Sequence, residues 1–89
     1  MHVLRFECSL VSTEPDDETR IFIVSFYCGD DTIQIYEICD KNSGRIGGAF
    51  MERKKQTNPT SGRYYQEKDF SLGNTVFLAG FKFMLVKAD

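Results

Sequence analysis

At 89 residues, the chain is long enough for one domain with a single core, but it is short for a deep catalytic pocket. Hydrophobic residues make up 42% and charged residues 27% of the sequence, a composition that excludes a wholly disordered chain. Residues 1–40 carry two basic and nine acidic side chains (net −7), whereas residues 41–89 carry nine basic and four acidic ones (net +5). Because the basic charge is concentrated in one half, a cationic docking face is compatible with the overall charge of −2.

The N-terminal part of the chain predicts two strands. Residues 3–10 alternate apolar and polar side chains, which is the period of a half-buried strand. A polar, acidic loop follows over residues 11–19. Residues 20–28 are β-branched or aromatic on both faces, as in a central strand, and residues 29–31 supply turn chemistry.

The middle of the chain predicts two more strands and two loops. Residues 32–39 form a strand whose alternation slips at residues 37–38, which we interpret as a bulge. Residues 40–48 form a loop that contains three glycines. A short strand over residues 49–54 leads into an exposed polar loop at residues 55–62.

The C-terminal part ends in a predicted hairpin. The secondary structure of residues 63–69 is ambiguous, because their sequence suits both a short strand and a single helical turn. Residues 72–74 form a turn. Two β-rich runs, residues 75–78 and 81–87, are separated by Ala79-Gly80, which indicates a two-residue hairpin loop of open turn type. With six or seven short strands and no long amphipathic helix, the sequence predicts an all-β barrel or sandwich.

The cysteines and the termini indicate an intracellular piece of a longer protein. Cys8, Cys28 and Cys39 are odd in number and form no C-x-x-C pair, so we expect reduced cysteines that fill strands. No apolar run approaches the ~18–20 residues that cross a bilayer, and residues 1–10 lack the apolar segment of a signal peptide. The chain begins and ends within strand-like sequence, which suggests excision from a larger host.

Catalysis is not expected. A nucleophile needs a base beside it, and the only histidine is His2 at the terminus. The acidic pairs at residues 16–17 and 30–31 lie in predicted turns, where carboxylates are usually solvated. We therefore predict a protein that is not an enzyme and has no catalytic residues.

Metal and cofactor sites are not expected either. Residues 40–44 begin like a calcium-binding loop, but Arg45 stands where glycine is needed and Met51 where the bidentate glutamate belongs. The single histidine and the three scattered cysteines do not have the spacing of zinc ligands. The glycines of this loop do not match the G-x-G-x-x-G motif of a phosphate-binding loop.

The basic segment after residue 52 is the candidate binding site. Its members are Arg53, Lys54, Lys55, Arg63, Tyr64 and Tyr65. We interpret them as a flexible, exposed cationic patch that steers the domain to an acidic protein surface, with Tyr64 or Tyr65 as a buried anchor. A merely solubilising loop is the competing interpretation. The same cations and tyrosines are also the combination that binds nucleic acids. The pI of about 5.3 argues against that function.

Four motifs in order carry a family resemblance. Residues 26–37 resemble the acidic-turn and D-D-T-x-x-I-x-E core of the DM-ten domain family, and residues 42–53 are similar to its glycine-arginine loop and basic strand. Residues 69–76 and 80–86 resemble its D-hydrophobic-x-hydrophobic-G-x-x-V and G-x-x-F-x-L signatures. Ala79 departs from the asparagine that is common there.

The resemblance implies a fold and a function. It implies a single DM-ten domain over residues 1–89, with a pleckstrin-homology-like β-fold, cut from a myoclonin-type (EF-hand-domain-containing) ciliary protein. It implies docking on axonemal doublet microtubules in the cytoskeleton of the cilium, with tubulin and other axonemal proteins as partners and no cofactor. The alternative is a phosphoinositide or membrane-surface module, which the acidic residues at 14 and 16–18 disfavour because they would repel phosphate.

Overall fold

The computed structural model describes residues 2–15, 20–38 and 47–88, which fold into one curled antiparallel sheet. Its strands are β1 (Val3–Leu10), β2 (Ile21–Tyr27), β3 (Thr32–Ile38), β4 (Gly48–Lys54), β5 (Thr75–Leu78) and β6 (Phe81–Ala88). Their spatial order is β4-β3-β2-β1-β6-β5, so β4 and β5 form the two edges. The all-β antiparallel prediction is confirmed, whereas the pleckstrin-like comparison stays a prediction.

One core fills the inner face of the sheet. Every second side chain of β1, β2 and β6 points into it, because successive side chains of a strand alternate between its faces. Phe22, Phe26 and Phe83 have no exposed surface at all. Burying a ring of this size stabilises a fold by roughly 1.5–3 kcal/mol, so these rings are a main source of stability.

The predicted bulge at residues 37–38 is wrong. Glu37 and Ile38 keep regular pairing with β2. The register shifts lie instead between β3 and β4, on either side of Ile35. Glu37 breaks the apolar alternation because it is a polar residue opposite the buried Phe22, on the core side of the sheet. The Arg20 guanidinium donates two hydrogen bonds to the Glu37 carboxylate, of 2.8 and 2.9 Å.

The β5–β6 hairpin has the turn that a two-residue loop favours. Ala79 and Gly80 both have positive φ, of 53° and 81°, as a type I′ turn requires. Glycine adopts this conformation without strain, but alanine does so at a cost. The sequence left the turn type open for that reason.

The segment between β4 and β5 closes the gap between the sheet edges. The Tyr65 hydroxyl accepts a hydrogen bond of 2.7 Å from the Phe77 N–H, and the Gln56 side chain accepts one of 3.3 Å from the Ala79 N–H. Phe70 fixes the same segment to the core, with its ring 5.0 Å from that of Phe26 on β2. Side chains, rather than a strand ladder, therefore cover the β5 edge.

Residues 63–69 adopt parts of both predicted structures. Tyr64 forms an isolated antiparallel bridge with Thr57, and Glu67–Asp69 form one short 3-10 turn. The Asp69 carboxylate accepts the Gln66 N–H at 2.8 Å, which fixes the beginning of this turn.

Two of the cysteines lie in the described part of the chain and both are free thiols. Burial raises the pKa of Cys8 to about 12, so this thiol stays protonated inside the core.

Cys39, most of the 40–48 loop and the acidic residues 16–18 lie outside the described residues. The described residues contain no helix with the length and apolar content that a bilayer crossing requires.

Candidate functional site

Arg53 is held in place by the turn between β2 and β3. Its guanidinium donates to Asp30 Oδ2 at 2.9 Å and to Thr32 Oγ1 at 2.8 Å. The same group lies 3.7 Å from the centre of the Tyr27 ring, within the range of a cation–π contact. The expectation of a flexible cation is wrong for Arg53, which instead ties β4 to the neighbouring hairpin.

The contacts with Thr32 and Arg53 keep the Asp30 carboxyl ionised. Hydrogen bonds from the Thr32 side chain and backbone lower the pKa of the Asp30 carboxyl below its ordinary value of 3.8, and the positive charge of Arg53 lowers it further. Asp30 is therefore ionised at neutral pH and offsets the charge of Arg53. The positive potential of the site must come from the cations that follow in the sequence.

Those cations lie on an ordered turn. The Asn58 N–H donates to the Arg63 carbonyl at 2.7 Å, and the Gly62 N–H donates to the Asn58 carbonyl at 2.8 Å. The Lys55 ammonium lies 5.2 Å from the centre of the Tyr64 ring across the base of this turn. The polar loop predicted at residues 55–62 is thus exposed, but its backbone is fixed by internal hydrogen bonds.

A recess beside this turn gathers further polar side chains. It has a volume of about 280 Å³ and is lined by Ser61, Arg63, Tyr64, Gln66, Lys68 and Asp69. We call Lys55, Arg63, Tyr64 and Lys68 the cationic face. Among the described residues, none of its three cations forms a salt bridge. The face therefore presents positive charge to solvent.

Lys54 and the two tyrosines have different positions. Lys54 is exposed at the end of β4, next to the cationic face in sequence. Tyr64 exposes 56% of its surface, whereas Tyr65 exposes only 3%. Burial raises the pKa of Tyr65, the Phe77 N–H opposes that shift and the charge of Asp69 adds to it. Since the Tyr65 ring lies in the core, we assign the aromatic part of the surface to Tyr64.

A second concavity, the apolar groove, adjoins the recess. Its apolar lining, here called the floor, consists of Leu4, Phe6, Phe70 and Ala88, and its polar lining, here called the rim, consists of Asp31, Gln66, Glu67, Lys68 and Ser71. Its volume is about 800 Å³, and it is largely open to solvent. Gln66 and Lys68 line both concavities, so the groove continues the cationic face.

Comparison with known proteins assigns the family. The family model for the DM10 domain matches residues 1–89, the whole chain. The chain belongs to the DM10 domain family. This confirms the resemblance that the four motifs carry.

The relatives of this DM10 domain are much longer proteins. EF-hand domain-containing family member C2 of Danio rerio is 37% identical to it over 95 residues, which cover 99% of this chain and 13% of that protein. The Mus musculus protein of the same name is 33% identical over 95 residues, with the same coverage. EF-hand domain-containing protein 1 of Homo sapiens is 35% identical over 91 residues, which cover 98% of this chain and 14% of that protein. The DM10 domain thus spans about a seventh of the length of these relatives.

Sequence reasoning missed two parts of the surface of this DM10 domain. Lys68 stands between Glu67 and Asp69, so its local charge balance gives no sign of a basic site. The groove joins residues that are distant in sequence, from Leu4 to Ala88, and no local pattern predicts it.

Within the described residues, no group of three or more His, Cys, Asp and Glu side chains could hold a metal ion.

Proposed function

We propose that this DM10 domain is a non-enzymatic docking module that attaches its host protein to axonemal doublet microtubules. Its partners are then tubulin and other axonemal proteins, and its location is the cytoskeleton of the cilium. Family membership supports this function, since the resemblance that led to the family implies it. The observation that carries the proposal is the cationic face: exposed cations and one exposed aromatic side chain on a rigid turn.

The chemistry of the face suits an acidic protein surface. Lys55, Arg63 and Lys68 attract a negatively charged partner over about a Debye length, ~8–10 Å at physiological salt. Tyr64 supplies an apolar ring with a polar end, the combination that is enriched at the energetic centres of interfaces. Because hydrogen bonds already hold the backbone of the turn, little backbone entropy is lost on association.

A single copy of such a face binds weakly. Exposed ion pairs contribute about 0.2–1 kcal/mol each, so a few of them yield modest affinity. A host protein that carries several binding modules gains strength from the raised local concentration of each one. The relatives are long enough to hold further modules, since the matched region is 13–14% of their length.

Co-sedimentation with polymerised tubulin tests the proposal. We expect the chain to pellet with microtubules, and the bound fraction to fall as salt is raised. Charge reversal of Lys55 and Arg63 together is expected to weaken binding roughly tenfold or more. Reversal of Arg5 and Lys87, exposed cations on other parts of the surface, is the matched control and is expected to have little effect.

Two results would count against the proposal. Binding that is insensitive to salt and to charge reversal at the cationic face would reject this face as the docking surface. Absence of sedimentation, both for the chain alone and for a tandem fusion of two copies, would reject microtubule docking itself. The fusion is needed because it raises avidity enough to detect a weak single-site affinity.

A further inference from the structure

The cationic face and the apolar groove meet at the short turn of Glu67–Asp69. Gln66 and Lys68 line both the 280 Å³ recess and the 800 Å³ groove, so a single ligand can contact both. Glu67 borders the groove alone, and Asp69 borders the recess alone. The two concavities therefore differ in chemistry although they are continuous.

The floor of the groove is fixed by aromatic packing. The Phe70 ring stacks on Phe6 at 5.7 Å and lies 5.0 Å from Phe26. Both Phe6 and Phe70 are almost fully buried, and Leu4 and Ala88 extend the apolar surface to solvent. A preformed apolar surface of this kind can receive a side chain without reordering the core.

The charges along the two concavities give the surface a direction. Arg63 and Lys68 make the recess positive, and the Asp69 carboxylate beside them is engaged by the Gln66 N–H. Asp31 and Glu67 outnumber Lys68, the one cation among the residues that line the groove, so its rim is net negative. Burial and then the charges of Glu67 and Asp31 raise the pKa of the nearby Cys28 thiol. A ligand thus meets positive charge in the recess and negative charge at the groove.

We propose that the recess and the groove together bind an acidic peptide that carries an apolar side chain beside its carboxylates. The carboxylates lie against Arg63 and Lys68, and the apolar side chain covers Phe6 and Phe70. This inference rests on the proposed docking function and states which feature of an acidic partner the domain recognises. The apolar side chain supplies specificity, because a purely acidic segment leaves the groove exposed to water.

An anionic membrane suits the surface less well. A bilayer would bring negative headgroups against Asp31 and Glu67 as well as against Arg63 and Lys68. An extended peptide avoids this repulsion, since it places its negative charge at one end of the surface only. The membrane is therefore an outcome that the test must distinguish.

Titration of the isotope-labelled 89-residue chain by NMR tests the inference. The probes are a mixed peptide with a run of glutamates followed by one phenylalanine, an all-glutamate peptide of equal length, and vesicles of phosphatidylcholine with phosphatidylserine. We expect the mixed peptide to bind roughly five- to tenfold more tightly than the all-glutamate peptide, because burial of one ring adds about 1–1.5 kcal/mol. Amide shifts are expected around Gln66, Lys68 and Ser71.

Variants separate the two halves of the site. Ser71→Trp fills the groove from an exposed position and is expected to abolish the preference for the mixed peptide. Lys68→Gln is expected to weaken both peptides about twofold to fivefold, as loss of one exposed ion pair does. Lys87→Gln removes an exposed cation that lines neither the recess nor the groove, and this control is expected to leave both affinities unchanged.

Each outcome has a defined meaning. Equal affinity for the two peptides, shifts that lie elsewhere, or tighter binding to vesicles than to the mixed peptide would overturn the inference. Microtubule sedimentation without peptide binding would overturn it as well, but would leave the docking function standing. Peptide binding at this site without sedimentation of either the chain or its tandem fusion would support the inference and reject the microtubule as partner.

Discussion

Tyr65→Phe tests whether a single hydroxyl closes the sheet. The substitution removes the 2.7 Å hydrogen bond from the Phe77 N–H but keeps the ring beside Phe70. Since ring burial is unchanged, the expected loss arises from a backbone N–H that is left without its acceptor. Such a loss costs about 1–2 kcal/mol, against a total stability of roughly 5–15 kcal/mol for a domain.

Two measurements check this value. Urea unfolding is expected to show a lower midpoint with an unchanged slope, and thermal unfolding a melting temperature lower by about 6–12 °C for a loss of about 1.5 kcal/mol. Hydrogen exchange at the Phe77 amide is expected to accelerate about tenfold, because the same bond protects it.

Tyr64→Phe is the matched control. Tyr64 is adjacent in sequence but exposed, so loss of its hydroxyl is expected to change stability by less than ~0.5 kcal/mol. If both variants have the same stability and the Phe77 amide exchanges at the same rate in each, the hydroxyl does not close the sheet.

Three further predictions concern other parts of the chain. Arg53→Gln is expected to raise the pKa of Asp30 towards 3.8, but not fully, because hydrogen bonds from the neighbouring threonine remain; a carbon-detected carboxyl titration that shows no rise would contradict this. Because folding lowers the pKa of Asp30, the ionised carboxylate stabilises the folded chain at pH values above 3.8. This stabilisation is lost as the pH falls through the pKa that Asp30 has in the folded chain. With a pKa of about 12, Cys8 is expected to react with iodoacetamide far more slowly than Cys28 at neutral to mildly basic pH; peptide mapping that found equal rates in the folded chain would refute its burial. Ala79→Asn is expected to stabilise the chain by about 0.5–1 kcal/mol, since asparagine tolerates positive φ; urea unfolding without any gain would argue against the type I′ turn.

The strands could be predicted from the sequence because their signal is local. Alternation with a period of two depends only on neighbouring side chains, and it located β1 at Val3–Leu10 and the β5–β6 hairpin around Ala79-Gly80. The same rule failed at Glu37. On the core side, Glu37 is stabilised by Arg20, which is distant in sequence and pairs with its carboxylate.

The candidate site could be predicted only in part. Charge alone located the basic segment, but it could not separate Arg53, which pairs with Asp30, from Lys55, which forms no salt bridge with the described residues. Tyr64 and Tyr65 are likewise equivalent in sequence, yet one is at the surface and the other in the core.

By itself, the sequence determined the all-β class, the positions of the strands and the family, because these follow from local periodicity and ordered motifs. Only the tertiary structure decided which of the predicted site residues are exposed and which are engaged within the domain. That outcome depends on strand register and on the segment that crosses between the sheet edges, both of which are set by contacts between residues far apart in the chain.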